Sequence, residues 1–158
     1  MSSDRTRAAE AMAALVPASL PDGRCLTNHD RRAVASPFRD LLDVRILEWE
    51  RDRCVVEIPV VEQLTNFAGA MAGSVVAAAL DMAATLSGCW EPEPTPPRLA
   101  VTVTFTITFL APVKAGSIRA SAVKIGGGRQ LFTSTITVTA PDGSVAATGQ
   151  GTFRYVNP

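Results

Sequence analysis

Asp81 is the residue whose surroundings are hardest to explain by packing alone. It lies in the run Gly73–Cys89, among Val75, Val76, Ala77, Ala78, Ala79, Leu80, Met82, Ala83 and Ala84. An ionised carboxylate buried there without partners would cost roughly several kcal/mol. Its expected use is as a general base or nucleophile in a dry crevice; the competing account is a structural carboxylate bonded to a loop backbone. Asn66, Gly69, Gly73 and Ser74 lead into the start of the same run. If the run is helical, its first N–H groups are unpaired and its dipole favours negative charge. A carbonyl held against the Gly73 N–H would be polarised, and its developing oxyanion stabilised. Asn66 would either anchor this loop or donate to the same oxygen, while the glycines by themselves indicate no more than loop geometry.

Spacing turns these two groups into a statement about assembly. Gly73 and Asp81 are eight residues apart, about 12 Å along a helix. A reacting carbonyl needs both within about 3 Å. One chain does not easily present both, but two chains can if neighbouring helices place the start of one beside the middle of the other. The spacing therefore predicts a homodimer with two equivalent shared sites.

The elements that must position these residues are clearest after position 100. In Val101–Phe109 the odd positions are Val, Val, Phe, Ile and Phe, and the even ones are Thr102, Thr104, Thr106 and Thr108. That alternation predicts a half-buried strand. Ser117–Ile125, Gln130–Thr139 and Ser144–Tyr155 read as three more, separated by Gly126-Gly127-Gly128 and Pro141-Asp142-Gly143. Short connections predict an antiparallel meander of all four. Val44–Glu50 and Arg53–Pro59 read as an earlier pair joined by a tight turn near Glu50-Arg51-Asp52. Residues 4–16 and roughly 28–42 suggest short helices.

The run from Gly73 has no polar stripe, and a helix apolar all round is expected to be buried all round. In so small a domain this calls for a long curved sheet wrapped about it. Gly149 and Gly151 would give room or curvature in the last strand. The expected class is α+β, with a hotdog arrangement: a curved antiparallel β-sheet around a central buried α-helix. Residues 1–35 are assigned to an N-terminal helical arm and 36–158 to the hotdog domain.

Composition removes several other classes. Fifteen basic and fifteen acidic residues balance to zero, whereas a nucleic-acid binder needs a basic face. His29 is the only histidine, so no metal site is expected. Cys25, Cys54 and Cys89 are widely spaced without CxxC pairing and read as reduced thiols. Ala68 to Trp90 has the length of a bilayer span, but it is mostly Ala and Gly. Asp81 near its middle would cost about 3 kcal/mol in hydrocarbon. The N-terminus lacks the order of a secretory signal, so a cytoplasmic location without membrane insertion is expected.

Asn66-Phe-Ala-Gly69-Ala-Met-Ala72-Gly73-Ser74, continuing to Leu80-Asp81, resembles the phenylacetic-acid-degradation (PaaI-like) branch of the hotdog thioesterases. That branch reads Asn, a few residues, His-Gly-Gly, then a helix with Asp nine residues after the His. Ser36-Pro37-Phe38, Phe109-Leu-Ala-Pro112 and Asp142-Gly143 add to the similarity, which spans about residues 36 to 155. Ala72 departs from the pattern where the His stands, and Ser74 replaces the second Gly. The resemblance implies an acyl-CoA thioesterase acting on a small aryl or medium-chain ester. CoA would enter as part of the substrate, with no separate cofactor. It implies a homo-oligomer, either a dimer or a dimer of dimers. By this resemblance Asp81 activates water or attacks the thioester, Gly73 polarises the carbonyl, and Thr85, one turn beyond Asp81, holds the water. The acyl group would lie near Gly69, Ala72, Ser74, Phe67, Met71 and Trp90. Arg98, Lys114, Lys124 and Arg129 are candidates for CoA phosphates. A non-catalytic hotdog module that binds an acyl thioester is the alternative. A hydratase is disfavoured because its chemistry normally pairs the Asp with a His, and none follows position 29.

Overall fold

The computed structural model describes residues 36–92, 95 and 97–156. The expected helix over 4–16 and the N-terminal arm over 1–35 lie outside the described residues. Ser36 caps a short helix α1 (Pro37–Leu41), with Pro37 in the first turn, where its missing N–H costs nothing. Strands β1 (Arg45–Glu50) and β2 (Arg53–Pro59) follow, joined by Arg51-Asp52 with Asp52 at φ 60°. Then come a 3₁₀ turn (Glu62–Leu64) and α2 (Gly73–Ser87). The rest is β3 (Ala100–Phe109), β4 (Ser117–Gly127), β5 (Leu131–Thr139) and β6 (Val145–Tyr155). One antiparallel sheet in the order β1-β2-β4-β5-β6-β3 curves around α2, the hotdog arrangement expected from the sequence.

Strand order corrects one expectation. Only β4, β5 and β6 form a meander; β3 pairs with β6 at the far edge, and β2 takes the place beside β4. Beyond β4, β3 lies three strand spacings away, about 14 Å. The seven residues 110–116 can span up to about 23 Å when extended, so a short connection did not require adjacent strands.

The core fills the space between α2 and the inner face of the sheet. Val56, Ile58, Leu80, Ile118, Phe132, Val138 and Phe153 are fully buried there. Phe132 stacks on Phe153 with centroids 5.1 Å apart and meets Tyr155 at 4.8 Å. The end of α2 is tied down by Trp49 Nε1, which donates to the Leu86 carbonyl at 2.8 Å, and by the Tyr155 hydroxyl, which donates to the Gly88 carbonyl at 2.8 Å. Gly149 and Gly151 supply the room expected of them. A Cβ at Gly151 would stand 2.7 Å from Phe105 Cδ2, and one at Gly149 would stand 2.9 Å from the Thr106 carbonyl oxygen and 3.3 Å from Leu80 Cδ2.

A second correction concerns the helix. Within one chain α2 is buried on one side only. Val75, Val76, Ala79, Leu80, Ala83, Ala84, Leu86 and Ser87 face the core. Ser74 is exposed, while Ala77, Ala78, Asp81, Met82 and Thr85 form a partly open stripe. The sheet packs mainly over the β2, β4 and β5 side of the helix and less over the β3 side. Alanine tolerates either environment, so a run of it carries little information about which face is covered.

A third correction concerns β3. A bulge between Thr102 and Thr104 interrupts the alternation. Such a bulge adds one residue and reverses which face the following side chains take. Thr102 therefore turns inward, as do Phe105 and Ile107 beyond it, while Val101 and Val103 remain 50% and 54% exposed.

Candidate active site

The loop before α2 is built by Asn66. Its side-chain oxygen accepts the N–H groups of Ala68 at 2.9 Å and Ala70 at 3.3 Å. Its backbone N–H donates to the Ala70 carbonyl at 2.7 Å, and its carbonyl receives the Gly69 N–H at 2.9 Å. Gly69 closes this turn at φ 70°, a conformation that suits a residue without Cβ. Met71 N–H bonds the Val113 carbonyl and Ala72 N–H the Leu64 carbonyl, each at 2.8 Å, which fixes where the helix begins.

Ala72 is the helix cap, and it has no side-chain oxygen to offer. Its carbonyl accepts the N–H groups of Val75 at 3.0 Å and Val76 at 3.1 Å. The Gly73 and Ser74 N–H groups make no hydrogen bond among the described residues, and both residues are exposed. Beside them runs a groove of about 340 Å³, lined by Asn66, Met71, Gly73, Val76, Phe109 and the segment from Leu110 to Val113. The Phe109 ring forms one wall, with its Cζ 3.5 Å from where a Gly73 Cβ would stand.

Asp81 sits on the open stripe of α2, half-buried rather than enclosed. The Thr102 hydroxyl donates to its Oδ1 at 2.5 Å. The carboxylate is thus held by the edge strand rather than by its own loop. Thr85 follows one turn later on the same side, and Ala77 and Ala78 precede it. Because Gly73 lies by Phe109 and Asp81 by Thr102, α2 and β3 run in opposite directions past one another.

The remaining candidates divide between the two ends of the helix. Met71 is buried in the groove wall, whereas Phe67 stands fully exposed at the loop tip. Trp90 lies beyond the far end of α2, with Arg98 and Lys124. Arg98 Nη2 donates to the Arg129 carbonyl at 2.8 Å, so these three basic residues are neighbours, although Arg129 is joined through its backbone. Lys114 is adjacent in sequence to Val113 of the groove and is not among the residues around Trp90. Thr102 is not among the site residues expected from the sequence, and Phe109 and Leu110 enter there only as part of a motif of the resemblance; the alternating threonines give no sign that one of them turns inward. Among the described residues no group of three His, Cys, Asp or Glu side chains could hold a metal.

Residues 68–147, just over half of the chain, match the family model of the thioesterase superfamily. A protein of Saccharolobus solfataricus with an esterase designation is 27% identical over 112 residues, covering 71% of this chain and 78% of its own. A thioesterase of Haemophilus influenzae superposes with a TM-score of 0.73 at 20% identity, over 85% of this chain and 93% of that one. The E. coli PaaI protein of the phenylacetic acid degradation operon gives 0.69 at 21% identity, over 77% and 86%. These two structures show that the fold is shared. The chain belongs to the thioesterase superfamily and is a thioester hydrolase built on the hotdog fold.

Proposed function

We propose that this protein is an acyl-CoA thioesterase whose site is completed by a second copy of the chain. The observation that carries this reading is the placement of Asp81, held through one oxygen by Thr102 on the open side of α2 and beside a sheet edge that no described residue pairs. That edge is β3, ten residues long, with Val101, Val103 and Phe109 at least half exposed. A long apolar edge strand is a template for pairing. If two copies pair β3 edge to edge about a two-fold axis near the middle of the strand, the Thr102 end of one chain lies beside the Phe109 end of the other. The same operation brings Asp81 to the Gly73 end of the partner's helix. The small residues Ala77 and Ala78 let the two helices approach.

In such a site Asp81 takes a proton from water. The hydroxide attacks the thioester carbonyl, and the oxyanion is received by the Gly73 and Ser74 N–H groups of the other chain. The carbon–sulfur bond then breaks, and the proton passes from Asp81 to the leaving thiolate. Direct attack by Asp81 Oδ2, followed by hydrolysis of the anhydride, fits the same geometry. Thr85 would hold the water, and the acyl chain would occupy the groove by Met71 and Phe109. The cytoplasm is the proposed compartment, since CoA esters are found there. No helix of the described residues is long and apolar enough to cross a membrane.

The test is Asp81→Asn, assayed by free-thiol release over a panel of aryl and medium-chain CoA esters. The amide keeps the size of the carboxylate and can still bond Thr102. Loss of the base lowers kcat about 10²- to 10⁴-fold, with the melting temperature nearly unchanged. Turnover at the wild-type rate would remove Asp81 from the chemistry. A wild type that binds CoA esters without releasing thiol would instead favour the acyl-thioester-binding module, to which Ala72, in place of the usual His, is the pointer.

A further inference from the structure

At the C-terminal end of α2 a separate polar cleft of about 180 Å³ is formed by Arg51, Asp52, Trp90, Glu91, Arg98 and Lys124 over Gly88 and Tyr155. Its cations are held in place. The Arg98 guanidinium carbon lies over the Tyr155 ring, 3.1 Å from its centroid, and the group donates from Nη2 to the Arg129 carbonyl. Arg51 stands over Trp90 at 5.8 Å. Lys124 Nζ pairs with Asp52 at 3.2 Å. Burial opposes the Lys124 charge, but its bonds to Asp52 and Tyr155 outweigh this and keep the ammonium protonated.

The charges in the cleft do not balance. Three cations face two carboxylates, and among the described residues neither Arg98 nor Arg51 is within ion-pair distance of either one. Elsewhere Arg45, Arg53 and Arg119 each have a carboxylate partner. Arg98 is half-buried and has five N–H donors, of which one is used among the described residues. A planar fork with open donors and no counter-ion suits a phosphate.

On the reading that Asp81 acts on a CoA ester, we infer that this cleft holds the phosphates at the nucleotide end of CoA. Reach agrees with this. Gly88, on the cleft floor, is seven residues past Asp81, roughly 10 Å along the helix. Along β3, Thr102 is two residues from Ala100, which pairs with Tyr155 of the same floor, about 7 Å away. The pantetheine arm between sulfur and pyrophosphate has about a dozen chain bonds, equivalent to four extended residues or roughly 14 Å. A thioester at Asp81 therefore sets its phosphates near Arg98. The cleft selects a nucleotide-bearing ester over one delivered on a carrier protein's phosphopantetheine arm.

The test compares one acyl group on three thiols: pantetheine, 4′-phosphopantetheine and CoA. Wild type and the Arg51→Gln/Arg98→Gln double variant are assayed for kcat/KM, and calorimetry follows binding of free CoA. Wild type should prefer the CoA ester over the pantetheine ester by about tenfold or more, and the double variant should lose most of that preference. Free CoA should bind the variant correspondingly more weakly. Two results overturn the inference while leaving the hydrolase reading intact: equal losses on all three esters, or a phosphopantetheine ester as good as the CoA ester. If wild type turns over none of the esters, the hydrolase reading fails, and the cleft is then judged by calorimetry alone. Undiminished CoA binding in the variant rules the cleft out.

Discussion

Two inactive variants should restore one another if the site is shared. Asp81→Ala removes the base, and Gly73→Pro removes a helix N–H. The second substitution is unusually clean. Gly73 is the first helical residue, its N–H has no acceptor among the described residues, and proline is favoured there. Ala72 before it already has φ −62° and ψ 137°, the extended conformation that a residue preceding proline adopts. Each homodimer should lose about 10²-fold or more in kcat. Refolded together in equal amounts, half of the dimers are mixed. Each mixed dimer carries one site with both lesions and one with neither, so about one quarter of the wild-type sites return. The assay is thiol release after co-refolding, with native mass spectrometry on subunits of distinct tag mass to count mixed dimers. Mixed dimers formed at the expected half, with activity no higher than the sum of the parents, would refute the shared site.

Thr102→Val deletes the hydroxyl that donates to Asp81 and keeps the β-branched shape; kcat should fall about fivefold to tenfold, since one bond to a charged group is lost at a half-open position, and Thr102→Ser should restore it. Gly88→Ala puts a Cβ 2.3 Å from Phe132 Cε2, inside a fully buried aromatic cluster; overpacking of about 1–3 kcal/mol should lower the melting temperature by roughly 3–10 °C. Burial raises the Cys89 thiol from 9.0 to about 12, and that of Cys54 rises for the same reason. The thiol form favoured by folding is fully present below about pH 9 in both states, so this contribution to stability is lost as pH rises toward about 12. In a Cys25→Ser background neither thiol should react with a disulfide reagent at pH 8 until denaturant is added, and melting temperatures should fall above pH 9.

The residues of the proposed site stand out in the sequence because they rest on local physics. A carboxylate in an apolar helix and two small residues at its start declare themselves without any knowledge of tertiary structure. The eight-residue gap between Gly73 and Asp81 is a length, so it survives any packing. Strand order is a different kind of fact. Whether β3 lies beside β4 or β6 depends on what the segment from Leu110 to Gly116 crosses, and seven residues permit both. The bulge at Thr102–Thr104 was illegible for a related reason: an unbroken Thr-X-Thr-X pattern fits either parity, and the choice is made by pairing with Phe153, Thr152 and Gly151 on β6. The open stripe was hidden by alanine, which is as content against a neighbouring helix as inside a core.

Ala72 ties these features together. A Ser, Thr, Asp or Asn at a helix cap would stabilise α2 by about 1 kcal/mol, and it would do so by occupying an N–H of the first turn. Here the loop is braced instead by Asn66 and by backbone bonds from Met71 and Ala72, which orient the helix start without touching its first two donors. The loop supplies rigidity and the cap leaves charge stabilisation free, so the two tasks that one side chain often combines are separated. That separation lets a small residue stand at position 72 without closing the groove, and it leaves the Gly73 and Ser74 N–H groups without an acceptor among the described residues. The β3 edge, which no described residue pairs, and the half-open Asp81 are incomplete in the same direction, and one two-fold axis would complete all three.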